Sequence, residues 1–237
     1  MSDFLFLPSH PSVSSAHYAA MKPLWEMLAD AGQKALTVTI LDLPWNHQCY
    51  DAYHSMVRHI RRRDGSWTFD YRVFDEYVAF GRSCGIGPWI ACYTMCPWDY
   101  AVSWEDEDGG VHTERAVPGT EAFERYWGPF LTDFAAHLKE KGWLGDTWLC
   151  MDERKPSDVQ NICRFIAEKA PGLKTFLELR NGIVAAEKFC ILKEQDSLKK
   201  KDFASLAAKF DRKAAMENTC DFAKLRSSVQ KLVNKGR

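Results

Sequence analysis

Three short runs rich in β-branched and apolar residues, ALTVTILDL at 35–43, IGPWIACYTM at 86–95 and TWLCM at 147–151, alternate with long segments whose apolar residues recur every three or four positions. A strand covered on both faces reads as a continuous apolar run, and an amphipathic helix as a period of 3.6. Their alternation confines the chain to strand–helix–strand units built on a parallel sheet. The helical period runs from Ser15 to Gly32 through Tyr18, Met21, Leu24, Trp25, Leu28 and Ala31, and again over Tyr71 to Ser83 with a stop at Gly85. It returns from Thr120 to Lys141 through Phe123, Trp127, Phe130, Leu131, Phe134 and Leu138, and from a Ser157 cap through Val159, Ile162, Phe165 and Ile166 to Pro171. Lys174 to Leu179 is a candidate for one more strand. Asp64-Gly65 within Met56–Tyr71 and Asp108-Gly109-Gly110 between Ala101 and Val117 predict two hairpins. Each falls after a predicted strand and before the next helix, so the insertions sit only at the carboxyl ends of the strands. That arrangement favours part of a (β/α) barrel.

The overall composition excludes several classes. Lys+Arg number 31 and Asp+Glu 32, a net charge of −1, which argues against a generally basic nucleic-acid binder and against an acidic disordered chain. No apolar run reaches the ~18 residues of a membrane span. The start, Met1 to Pro8, lacks a basic region and its apolar run is too short for a signal peptide, so the chain as written is expected in the cytoplasm. The average hides a division: residues 173–237 hold 15 Lys+Arg and 8 Asp+Glu, a net of +7, leaving −8 for residues 1–172. All 9 Trp, 8 Tyr and 7 His precede residue 149. The 8 cysteines are scattered without CxxC spacing; they read as buried thiols, with disulfides as the alternative an even count allows.

In a barrel of this kind the chemistry sits on the loops after the strands. Pro44-Trp45-Asn46-His47-Gln48 follows the first run. Tyr93 and Pro97-Trp98-Asp99-Tyr100 follow the second, and Asp152-Glu153-Arg154 the third. Aromatic faces cover the apolar C–H side of a pyranose while carboxylates supply acid and base, so these loops suit a sugar site; plain packing of Trp45 and Trp98 is the other reading. Asp152 and Glu153 are the sharpest feature. Two neighbouring carboxyl groups can be split in role by their surroundings, one protonated and one ionised. Alternatively, one of them caps the next helix with Arg154 as its ion-pair partner.

Six stretches together, ADAGQK (29–34), DLPWN (42–46), DGSWTFDY (64–71), CYTMCPW (92–98), YWGPFLTDFAAHLKEKGW (126–143) and MDER (151–154), resemble the catalytic domain of glycoside hydrolase family 123 over about residues 5–174. The resemblance implies a (β/α)8 barrel of the TIM type and an exo-β-N-acetylgalactosaminidase that hydrolyses terminal β-linked N-acetylgalactosamine with retention, assisted by the substrate. It implies that Asp152 orients and polarises the 2-acetamido group, and that Glu153 protonates the glycosidic oxygen and then activates water. It requires no cofactor, metal or enzyme nucleophile. Asn46, Tyr93 and Trp98, within matching motifs at strand ends, are expected sugar contacts. Relatives usually carry an export signal and a β-sandwich domain ahead of the barrel, and Leu5-Phe6-Leu7 and His10-Pro11 would be what remains of the first barrel strand.

The expected organisation is therefore a partial barrel over residues 1–174, holding the first four to five strands, followed by a basic helical segment over 175–237. In the latter, Phe203, Leu206, Ala207 and Phe210, then Phe222, Leu225, Val229 and Leu232, fall at helical spacing beside Lys199-Lys200-Lys201. A genuine tail, a fusion and a frameshift would all give this change of character. An unclosed barrel exposes strand edges and invites self-association. The expected partner is a carbohydrate, with no membrane and no nucleic acid. The alternative function is a catalytically inactive carbohydrate-binding or interaction fragment.

Overall fold

The computed structural model describes residues 15–46, 53–152, 154–179 and 182–185. In chain order the elements are α1 (Ser15–Asp30), β1 (Ala35–Thr39), β2 (Arg58–Arg61), β3 (Trp67–Asp70), α2 (Arg72–Ser83), β4 (Trp89–Tyr93), β5 (Ala101–Asp106) and β6 (Val111–Arg115), then α3 (Glu121–Glu140), β7 (Thr147–Asp152), α4 (Pro156–Lys169), β8 (Lys174–Leu179) and β9 (Gly182–Ala185). One sheet has the order β1-β4-β7-β8-β9, parallel throughout except for the antiparallel β9. The mixed α/β class, the parallel sheet and the four helices match the expectation. Among the described strands the sheet is open, with β1 and β9 as its edges.

The strands use alternate residues to hold the helices. Leu36 and Val38 of β1, Ile90 and Cys92 of β4, and Leu149 and Met151 of β7 are all buried and lie in register on one face. Gly81 of α2 shows how close the helix layer approaches: a Cβ there would sit 2.4 Å from Leu36 Cδ2. On the other face Thr37 is exposed, Ala91, Tyr93 and Trp148 are half-buried, and Thr39 and Cys150 are buried. Parallel sheets in complete domains are covered on both faces; here, among the described residues, the helices cover one.

The two hairpins form as the Asp-Gly turns require, with Gly65 at φ +85 and Gly109 at φ +82, backbone that L side chains rarely adopt. They also merge. β2 pairs in parallel with β5 at Ile60–Glu105 and Arg61–Asp106, giving a second sheet ordered β3-β2-β5-β6. Arg58 closes the seam by donating through Nε and Nη2 to both Glu105 carboxylate oxygens. This sheet packs on α3 through His59, whose ring stacks on Tyr126 at 5.2 Å and lies 4.7 Å from Phe130 and 5.3 Å from Phe69.

Three expectations need correction. Ser157 does not cap α4. Pro156, with its preset φ and no N–H to leave unpaired, takes the first helical position, and Lys155 is the extended N-cap. The first strand ends at Thr39 and does not reach Leu43: Asp42 accepts from Ser55 N at 2.8 Å and Leu43 turns to φ +48, drawing the chain off the sheet. The candidate strand over Lys174–Leu179 is present as β8, paired with the free edge of β7, but the segment expected to be helical continues it as β-structure in its described part, with β9 at Gly182–Ala185 pairing antiparallel to β8. The rest of that segment, and the Leu5-Phe6-Leu7 and His10-Pro11 remnant, lie outside the described residues. The cysteines read as buried thiols are so at Cys84, Cys92, Cys96 and Cys150, while Cys163 is half-buried.

His59 makes the fold sensitive to pH. Its Nε2 donates to the carbonyl of Ile40 at 3.1 Å, which fixes the neutral tautomer, while Nδ1 is buried without a partner among aromatic rings. Burial pushes its pKa down to about 4 from 6.5, opposed by the Ile40 bond and by Asp42. A depressed histidine pKa means that the unfolded chain takes up the proton first. Its stabilising contribution is thus whole above pH 6.5, falls as pH drops, and is gone below about 4. Between pH 7.5 and 4.5 the wild type should lose on the order of 2–3 kcal/mol more than His59→Phe, measured as the difference in urea unfolding free energy at the two pH values.

Candidate active site

Parallel register brings the carboxyl ends of the strands to one edge of the sheet. Thr39 lies across from Tyr93, Tyr93 from Cys150, and Cys150 from Phe176. Asp152 is the last residue of β7, one alternation beyond Cys150, so its position falls on the same face as Cys150 and Tyr93, in register with Glu178 of β8. Glu153 lies outside the described residues. The capping reading of the pair loses its footing, because α4 starts at Pro156 with Lys155 as N-cap, three residues after Asp152.

Tyr93 is half-buried and its ring lies 5.4 Å from Trp45, which in turn sits edge-on to Tyr53 at 5.1 Å. The three form an aromatic group at the ends of β1 and β4. Tyr53 escaped the sequence reading because it stands in the approach to a hairpin, with no periodic or motif signal of its own; its carbonyl, accepting from Leu43 N at 2.7 Å, is what folds it back onto the loop after β1. Trp98 is half-buried on the loop after β4. Its backbone N donates to Pro44 O at 3.4 Å, and its indole Nε1 is buried without a partner. Asn46 is exposed at the rim with φ +42, a conformation that asparagine tolerates, and its N–H bonds to Leu43 O. The structure thus brings Tyr93, Trp98 and the position of Asp152 to one edge and leaves Asn46 on the outside of the same loop cluster.

Asp42 stitches the cluster to the hairpin sheet, accepting from Ser55 N at 2.8 Å and from the Ser103 hydroxyl at 3.0 Å. On the other side Arg154 donates from Nη1 to Pro97 O at 2.8 Å and to Cys96 O at 3.4 Å. The Cys96 thiol beside it is raised to about 12 by burial, against the pull of Arg154, and Cys92 is raised by burial as well. Both are protonated at neutral pH and unsuited to nucleophilic attack. Among the described residues no group of three or more His, Cys, Asp or Glu is placed to hold a metal ion, and no helix is long and apolar enough to cross a membrane.

A groove of about 860 Å³ lies elsewhere, on the flank of α3 between Trp67 and Phe69 on one side and Lys169 on the other. None of the strand-end residues lines it, so it is no part of this site.

Comparison with known proteins adds the identity of the architecture. A solved structure of a family 123 glycoside hydrolase from Clostridium perfringens, studied for the details of glycolipid glycan hydrolysis, superposes with a TM-score of 0.62 at 28% identity, covering 64% of this chain and 27% of that one. This chain therefore spans little more than a quarter of that protein's length. Curated proteins give no match. The family described as "Glycoside hydrolase 123, catalytic domain" matches residues 10–208, running past Lys174, where the motif resemblance stopped, and through both β8 and β9. With that match spanning most of its residues, the chain belongs to the glycoside hydrolase 123 catalytic-domain family.

Proposed function

We propose that this chain is part of a (β/α)8 barrel and hydrolyses terminal β-linked N-acetylgalactosamine with retention of configuration and help from the substrate's own acetamido group. The observation that carries the reading is the place of Asp152, at the carboxyl end of β7 on the face it shares with Tyr93 and clear of the helix cap. Asp152 orients the 2-acetamido group and stabilises the positive charge that develops as its carbonyl oxygen attacks the anomeric carbon. Glu153 donates a proton to the departing glycosidic oxygen. As base it then takes a proton from the water that opens the oxazoline intermediate. Tyr93 and Trp98, and Asn46 from the rim, contact the sugar, the aromatic rings against its C–H face. No metal or cofactor takes part in this scheme. Residues 175–237 form a basic segment whose charge differs from that of the barrel part.

A second reading is favoured by the open sheet, whose edges are β1 and β9 among the described strands: a catalytically inactive fragment that retains carbohydrate binding or associates with a second copy through those edges.

Two measurements separate the readings. The purified, folded chain should release 4-nitrophenol from 4-nitrophenyl β-N-acetylgalactosaminide, and Glu153→Gln should lower kcat by ~10²–10⁴, the usual contribution of a general acid–base group. Absence of turnover by folded protein that still binds the sugar would establish the inactive reading. The second measurement tests assistance by the substrate. The corresponding 4-nitrophenyl β-galactoside, which lacks the acetamido group, should be turned over at least ~100-fold more slowly, and Asp152→Asn should depress only the acetamido substrate. Equal rates on the two sugars would exclude the mechanism.

A further inference from the structure

β7 ends at Asp152 and α4 begins at Pro156, so the connection between them is only three residues long, and Arg154 lies within it. Arg154 reaches the loop after β4. Its Nη1 donates to Pro97 O at 2.8 Å and Cys96 O at 3.4 Å, the two residues before Trp98. The guanidinium carbon lies 5.3 Å from the centre of the Tyr100 ring, and Arg115 approaches the same ring at 5.0 Å. The Tyr100 hydroxyl donates to Asp158 Oδ2 at 2.8 Å, and Asp158 is a buried residue in the first turn of α4. The contacts close a ring: from Arg154 to the β4 loop, through Tyr100 to Asp158 in the first turn of α4, and back through Lys155 to Arg154.

Tyr100 shows that this ring is under constraint. It holds φ +63, a left-handed conformation that costs a residue with a Cβ about 1–2 kcal/mol, and its backbone is held there by bonds from its N–H to Pro97 O and from Ala116 N to its carbonyl. The bond to Asp158 and the guanidinium groups of Arg115 and Arg154 over its ring fix the direction of the Tyr100 side chain.

We propose that Arg154 is a positioning residue, which clamps the connection between β7 and α4 to the loop bearing Trp98 and thereby supports the acid–base step assigned to that connection under the hydrolase reading. The inference rests on the hydrolase reading for its catalytic consequence, though not for the clamp itself. A lysine does not replace the arginine: a planar guanidinium spans two carbonyls while lying over a ring, whereas an ammonium on a flexible stem does one or the other.

The test uses the full chain and the variants Arg154→Gln, Arg154→Lys and Tyr100→Phe, with two readouts. The first, independent of turnover, is amide hydrogen exchange in peptides covering 149–156 and 94–101. Arg154→Gln and Arg154→Lys should each speed exchange in both segments at least ~10-fold, while α1 and α2 stay unchanged. The second is kcat/KM, which reports departure of the leaving group, for phenyl and for 2,4-dinitrophenyl β-N-acetylgalactosaminide. A dinitrophenolate departs without protonation, so both Arg154 variants should lose ~100-fold on the phenyl glycoside and less than ~5-fold on the activated one. Tyr100→Phe, which severs only the hydroxyl from Asp158, should show the same pattern at reduced size and serves if Arg154→Gln fails to fold. Unchanged exchange, or equal losses on both leaving groups, overturns the proposal, as does rescue by lysine. If the wild type turns over neither glycoside, the hydrolase reading fails separately, and the exchange experiment alone decides the clamp.

Discussion

Parallel register is the constraint on which the rest depends. Once β1, β4 and β7 run side by side in the same direction, their carboxyl ends must share one edge, and every connection from a strand to its helix starts there. Both Asp-Gly hairpins, β2–β3 and β5–β6, fall in those connections. Since neighbouring strands bring successive insertions together, the two hairpins meet and pair through β2 and β5. The loops at that edge are thereby crowded against one another. Trp98 bonds to Pro44, Asp42 to Ser103, and Arg154 to Pro97, each joining segments far apart in sequence. An isolated strand end would offer a mobile loop; here each loop is held by the next.

The hairpin sheet also answers a problem of shape. Its strands are only four to six residues long, and small sheets of this size need a helix to cover an apolar face. Tyr126, Trp127 and Phe130 of α3 supply it, with His59 and Phe69 from the sheet fitted between them. Burial of each large aromatic contributes about 1.5–3 kcal/mol, enough for this cluster to anchor the sheet by itself. The same helix carries Phe134 to Phe74 of α2, so a single 20-residue element joins the hairpin sheet to the helix layer.

Local pattern in the sequence sufficed for the helices, the strands and both Asp-Gly turns, because each is determined within about ten residues by period and backbone chemistry. It failed wherever the decisive contact was distant. The pairing of Ile60 with Glu105 leaves no local trace, so two hairpins were legible and their common sheet was not. Tyr53 reaches the aromatic group only through its bond to Leu43. The N-cap of α4, Lys155, lies two residues before the expected Ser157 cap: serine is the stronger cap in general, whereas Pro156 cannot sit comfortably anywhere in a helix but its first turn. Beyond Lys174 the strand signal of TFLEL was legible, and the antiparallel return of β9 was not: no alternating run announces it, and the family match to residue 208 has to carry what the motifs did not. Of the site, Tyr93 and Trp98 were legible as aromatic residues at strand ends, while the bonds that fix Trp98 were not.

The division of labour between fold and chemistry follows from how little a substrate-assisted hydrolase asks of its protein. The nucleophile comes with the substrate, so the reaction as proposed needs one group to steer the acetamide and one to move a proton, adjacent in sequence at the end of a single strand. What the remainder must supply is placement. A carboxyl group at a strand end is free to turn in several directions, and its direction is set by the first residues of the connection that follows. An arginine in that connection, bonded to main-chain carbonyls, gives a fixed point that does not depend on the ionisation of another side chain. The carbonyls of Cys96 and Pro97 keep their partial charge at every pH, so under the proposed mechanism the guanidinium would stay anchored while the neighbouring acid lost and regained its proton in each cycle. An ion pair with one of the two carboxylates would weaken each time that group was protonated; a bond to the backbone does not.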